Sequence, residues 1–164
     1  MIWTDISDEL LDMLTPYSDW FFKQDLTPIN KLAWDNPKNT STMDTGCSNE
    51  YLDEVVKADG RHEGYPEISY SYDLKAGDLP GEFQEKYQDL SMELCTWLGA
   101  RNEAVHVYYP TNGFMSWHNN WNAPGYNILL SYTKNGGGFF KYRDPKTHEV
   151  NEMLDTPGWS CKVG

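Results

Sequence analysis

The punctuation of the sequence after Gly99 restricts the fold more than any other feature. Turn-forming clusters begin every 9–13 positions: Pro110-Thr111-Asn112-Gly113, Asn122-Ala123-Pro124-Gly125, Asn135-Gly136-Gly137-Gly138, Asp144-Pro145-Lys146-Thr147 and Asp155-Thr156-Pro157-Gly158. Proline fixes φ and lacks an N–H, glycine admits left-handed backbone, and Asn and Asp bond their own main chain, so each cluster ends the element before it. The intervals are short for helices and rich in aromatic and branched residues. Ala104–Tyr109, Gly113–His118, Tyr126–Thr133, Gly138–Tyr142 and His148–Leu154 therefore read as short strands joined in a meander of hairpins.

The preceding hundred residues have a different grammar. Ser7 followed by Asp8 and Glu9 offers an N-cap and first-turn acids to a helix carrying Leu10, Leu11 and Leu14, which should stop near Pro16. Residues 25–64 are polar and broken by Pro28, Pro37, Gly46 and Gly60, and read as loop apart from a short helix over 49–57. Residues 67–72 alternate in the manner of a half-exposed strand. After Pro80 the residues Phe83, Tyr87, Leu90, Leu94, Trp97 and Leu98 recur at three- and four-residue steps until Gly99, which predicts a helix with one buried face. Helices followed by closely spaced strands indicate an α+β, mainly β architecture, a sandwich or jelly roll rather than a parallel βαβ sheet. At 164 residues the expectation is a single domain, with 1–99 packing on the strands of 104–164.

Charge narrows the partners. Thirteen Lys and Arg against 25 Asp and Glu leave a net charge of −12, which repels phosphate backbones and anionic headgroups, so neither nucleic acid nor membrane is expected. The longest apolar runs fall far short of the ~20 residues of a membrane-spanning helix. Asp5 lies where a secretory signal would carry basic residues. Cys47, Cys95 and Cys161 are odd in number and form no Cys-x-x-Cys, which points to a reducing cytoplasm rather than a disulfide framework.

The segment from Tyr109 to Asn120 carries the chemistry. On a strand His118 and Asn120 share one face, with Trp117 and Asn119 on the other. An imidazole beside an oxygen donor two positions later is what a facial iron site takes from one strand, the oxygen normally being a carboxylate. Taken alone, His-x-Asn more often marks a hydrogen-bonded histidine near a turn than a metal ligand.

The ordered features of the last 57 residues add to that pair. Tyr109, Gly113-Phe114, His118, the strand Ile128–Tyr132, the glycine-led aromatic strand Gly137–Asp144 and the turn Asp155–Trp159 together resemble the 2-oxoglutarate and Fe(II)-dependent dioxygenases, in the prolyl 4-hydroxylase-like branch found in bacteria and marine phages. The resemblance implies a double-stranded β-helix (jelly roll, cupin-like) with flanking N-terminal helices. It implies Fe(II) and 2-oxoglutarate as cofactors and hydroxylation of a C–H bond in a peptidyl or other substrate. Carried over by position, His118 matches the first iron ligand, Asn120 stands where the family keeps its acid, and Tyr109 matches a tyrosine that reaches the co-substrate.

Three departures accompany the match. Asn120 offers a neutral oxygen in place of a carboxylate, Met115 stands where a second tyrosine is frequent, and the family's distal His and basic residue lie on strands beyond Pro157-Gly158 that the residues up to Gly164 do not include. The sequence is thus expected to be a fragment of a longer product, or to be completed by a protein partner covering an open sheet edge. His148 belongs to an exposed turn, His106 faces away from the core, His62 is a loop residue, Asn135–Gly138 is a hairpin turn, and Ser131 has no base in the pattern. A rival reading needs no metal: Trp117, Trp121 and Tyr126, interleaved with asparagines, would form a ligand- or peptide-binding surface on a catalytically inactive β-helix, such as a phage accessory or virion protein in host cytoplasm or virion.

Overall fold

A short N-terminal strand, β1 (Ile2–Thr4), leads into helix α1 (Asp8–Phe21) in the computed structural model, which describes residues 1–64, 66–120 and 124–164. Ser7 caps α1 through its hydroxyl, which accepts the Leu10 N–H at 3.3 Å. The helix does not stop at Pro16 but runs through it. Leu10, Leu14, Ser18 and Phe21 are all buried at steps of four, four and three, so the buried stripe continues past the proline and its packing outweighs the ~3 kcal/mol that an interior proline costs.

The chain then passes through α2 (Thr27–Trp34), α3 (Met43–Gly46) and α4 (Asn49–Lys57). Helix α4 is where the sequence places it, its first turn capped by Ser48, whose hydroxyl accepts the Tyr51 N–H at 3.1 Å. Helix α2 falls in a stretch read as loop. Its signals are Asp25, which accepts the Thr27 N–H at 3.0 Å, a proline in the first turn, and Ile29 and Ala33 buried four residues apart. Strands β2 (Ser69–Tyr70) and β3 (Tyr72–Asp73) follow, then the long helix α5 (Gly81–Leu98), which buries Phe83, Tyr87 and Leu90 and ends on Gly99 at φ 61° as expected.

Strands β4 (Val107–Tyr108) and β5 (Phe114–Met115) return antiparallel along β3 and β2, pairing Tyr72 with Tyr108 and Tyr70 with Phe114. The ladder is interrupted between them by the excursion Tyr109–Asn112, so these strands are shorter than the expected 104–109 and 113–118. Gly113 closes the excursion. A Cβ there would lie 2.8 Å from the carbonyl oxygens of both Pro110 and Tyr70, so any side chain would push the turn off β2.

Beyond the undescribed residues come β6 (Ile128–Thr133), β7 (Phe139–Arg143), β8 (Val150–Leu154) and β9 (Gly158–Val163). Their pairing is nested rather than a meander: β7 and β8 form an antiparallel hairpin, while β6 pairs antiparallel with β9, whose other edge takes β1. Asn135–Gly138 is therefore not a hairpin turn. Gly136 and Gly137, at φ 77° and 87°, carry the chain away from β6 toward Asp155, whose N–H donates to the Gly138 carbonyl at 2.7 Å. The sequence reading ended in a turn at Asp155–Trp159 and missed β9, the central strand.

The chain divides into two compact units, residues 1–21 with 124–164 and residues 22–123. Both are built from antiparallel strands and helices, an α+β arrangement. Among the described residues no helix is long and apolar enough to cross a membrane.

Candidate functional site

In the unit of residues 22–123, the strip from Tyr109 to Asn120 is held by three neighbours. Helix α3 approaches β5 so closely that a Cβ on Gly46 would sit 2.5 Å from the Phe114 ring and 3.2 Å from the Ser116 Cβ. The Trp117 N–H donates to the Gly46 carbonyl at 3.3 Å and its indole N–H to the Ser48 carbonyl at 2.9 Å. The loop before β2 grips Asn119 from both sides: its N–H donates to the His62 carbonyl at 3.1 Å, and its carbonyl accepts the Gly64 N–H at 2.7 Å.

His118 is half-buried, and its Nδ1 lies 2.8 Å from the Ser116 carbonyl oxygen. A carbonyl only accepts, so Nδ1 is the donor in this contact, and Nε2 is the nitrogen that a neutral ring would offer as a lone-pair donor. This is the arrangement in which metal-binding histidines are commonly held, the second nitrogen fixed by a backbone carbonyl. Asn120 is exposed. Tyr109 leaves 46% of its surface accessible, yet its hydroxyl lies in dense surroundings, and burial, reinforced by the nearby Cys47 thiol, pushes it up to about 12. At neutral pH it is a phenol that always has a proton to donate.

The residues present do not complete the iron site that the resemblance implies. Among the described residues no three His, Cys, Asp or Glu side chains come together to hold a metal ion. His118 and Asn120 supply one imidazole nitrogen and one amide oxygen, fewer donors than a mononuclear iron site needs. The proposed ligand surface is also altered. Trp117 spends its indole N–H on the Ser48 carbonyl, Tyr126 in the other unit is 88% exposed, and Trp121 lies outside the described residues.

His62 is a loop residue as expected, yet buried, and His106, expected to face away from the core, packs on a helix. His62 is 1% exposed and meets the Tyr51 ring edge to face, with centroids 5.7 Å apart at 89°. His106 stacks on Tyr87 at 4.0 Å, and burial, aided by the Lys75 charge, depresses it to about 4. Each ring is received by a helix: Tyr51 on α4 meets His62, and Tyr87 on α5 stacks on His106. His148 is exposed, at φ 63°, as its turn requires.

The unit of residues 1–21 and 124–164 holds a polar cluster that sequence reading missed. Lys162, on β9, is wholly buried. Its ammonium pairs with the Asp155 carboxylate, donates to the Ser131 hydroxyl at 3.0 Å, and lies 4.5 Å from the centre of the Trp3 ring. Ser160 donates to the same Asp155 oxygen at 2.7 Å. Ser131 thus has a nearby amine after all, but one that donates to Ser131 and is paired with Asp155, not an acceptor for the hydroxyl proton. The signal was available as the alternation of Ser160 and Lys162 on one face of β9, opposite Ser131 in the register.

No family model, curated protein or solved structure matches this chain.

Proposed function

We propose that this protein is 2-oxoglutarate/Fe(II) dioxygenase-like, with His118 as the imidazole ligand of its iron, Asn120 as a weak oxygen donor beside it, Tyr109 as a co-substrate contact, and a C–H bond of a peptidyl or other substrate as the target of hydroxylation. The observation that carries the reading is His118 itself, a half-buried imidazole with Nδ1 fixed on a backbone carbonyl, the arrangement that leaves Nε2 as the ligating nitrogen. The phenol of Tyr109, kept protonated by its surroundings, suits a hydrogen bond to a carboxylate. The nesting of the β7–β8 hairpin between β6 and β9 is consistent with a chain folded over into a double-stranded β-helix. When bound, iron with 2-oxoglutarate would supply the oxidising chemistry, with His118 and Asn120 as the residues that would hold the metal and Tyr109 the one that would contact the co-substrate.

A second reading has its own observation. Because no three ligating side chains converge among the described residues and position 120 lacks a carboxylate, the same scaffold serves as a catalytically silent binding or structural module. Anaerobic titration with Fe(II) and 2-oxoglutarate separates the two. A visible charge-transfer band that is lost in His118→Ala supports the oxygenase-like reading, and no band at saturating Fe(II) supports the silent module.

A further inference from the structure

We propose that His62, Tyr51 and Ser116 enclose a binding site for an internal water, which anchors the loop that positions the His118–Asn120 strip. His62 is 1% exposed and neither of its ring nitrogens has a hydrogen-bond partner. The Tyr51 hydroxyl, on a residue 8% exposed and in edge-to-face contact with the imidazole, is likewise without one. Ser116, 2% exposed, already accepts the Ile68 N–H at 3.3 Å and keeps a hydroxyl proton to give. It lies near enough to the Tyr51 hydroxyl to oppose the rise in phenol pKa that burial causes, though without a well-formed hydrogen bond between them.

Three buried polar atoms on two touching rings, all lacking partners, are unusual, because each carries the desolvation penalty of an unmade bond. The chemistry of the group selects the ligand. Imidazole nitrogens and a phenol ask for both donors and acceptors, and among the described residues no three His, Cys, Asp or Glu side chains come together to hold a metal ion. Of the carboxylates whose charge reaches Tyr51, Glu67 is engaged by Arg61 through a fork at 2.7 and 2.8 Å. Water, with two donors and two acceptors, fits such a site and is the usual occupant of buried polar gaps.

The consequence reaches the strip through the main chain. The His62 carbonyl and the Gly64 N–H hold both backbone groups of Asn119, which stands between His118 and Asn120. A loop whose buried residue is fully satisfied holds that grip. The inference does not depend on whether iron binds His118.

The test combines substitutions that remove the orphan groups with direct observation of the solvent. If the atoms are truly unpartnered, Tyr51→Phe and His62→Phe should each raise the denaturation midpoint, since they delete polar groups that have no bond to lose. If water bridges them, each should lower it, and the double variant should lose no more than the larger single loss, because both delete the same bridge. A high-resolution crystal structure should then show density within hydrogen-bonding distance of a His62 ring nitrogen. A raised midpoint in either single variant, strictly additive losses, or a dry site in the crystal would each overturn the proposal.

Discussion

Lys162 gives the most quantitative handle on this fold. Its side chain is 0% exposed and that of its partner Asp155 is 6% exposed, so neither charge can turn to solvent if the other is removed. Lys162→Met would leave a buried carboxylate with only the Ser131 and Ser160 hydroxyls donating to it, and the expected destabilisation is about 3–5 kcal/mol, the scale for breaking a buried pair. Asp155→Asn would strand the ammonium and cost a similar amount. The double variant replaces both charges with neutral groups of similar size, and Asn can still accept from the two serines, so its loss should fall well below the sum, leaving a coupling of about 3 kcal/mol. The cycle is read by urea unfolding, with fluorescence of Trp3 and Trp159 in the same unit and an unchanged m-value as the condition for comparing midpoints. Additive losses, or a single loss below about 1 kcal/mol as for an exposed pair, would refute the argument that this pair is desolvated and holds the β6–β9 sheet to the Asp155 corner.

Other perturbations test other parts of the structure. Gly46→Ala should destabilise by about 1–3 kcal/mol and broaden the resonances of residues 114–120, since the new methyl lands 2.5 Å from the Phe114 ring; an unchanged melting curve would mean α3 does not seat on β5 as described. Pro16→Ala should stabilise α1, because the exposed ring gives up no packing while an interior helical N–H is restored; circular dichroism melts should shift upward, and a downward shift would show the proline to be needed. His106 is held at about 4 by burial first and by Lys75 second, against about 6.5 when unfolded. Below 6.5 the unfolded chain takes up a proton that the folded chain refuses, so stability falls as pH drops from 6.5 to 4 by an amount on the order of 2–3 kcal/mol, then levels off. His106→Gln should flatten that part of the urea-midpoint profile; an unaltered slope would place its origin elsewhere.

What the sequence made legible was local, and what it hid was relational. Helix α5 could be read because its apolar period, its opening proline and its closing glycine all lie within one stretch, and α4 because Ser48 caps its own first turn. The strands β6, β7 and β8 were visible from the residues that bound them. Their partners were not: glycine clusters mark a turn but do not say which strand returns to which, and Asn135–Gly138 leads away from β6 instead of folding back upon it. Strand β9 was missed because its polar residues Ser160 and Lys162 are buried as fully as Cys161, so the usual rule of polar outside and apolar inside does not hold along it. A lysine at a central, wholly buried position becomes intelligible only beside Asp155 and the two serines. The same limit applies to the candidate site. The His118–Asn120 spacing was evident, but the grip of the His62–Gly64 loop on Asn119, and the burial of His62 behind the strip, depend on contacts between segments remote in the chain.

The central functional claim is that position 120 lies beside a metal held by His118, and the Fe(II) affinity of Asn120→Asp measured under anaerobic conditions tests it most directly. A carboxylate in that place should tighten binding roughly tenfold or more, the scale on which even outer partners of a metal site act, and His118→Ala in the same background should abolish the gain. Equal Fe(II) affinity in the wild-type protein and in Asn120→Asp would contradict the placement of His118 and Asn120 at a metal.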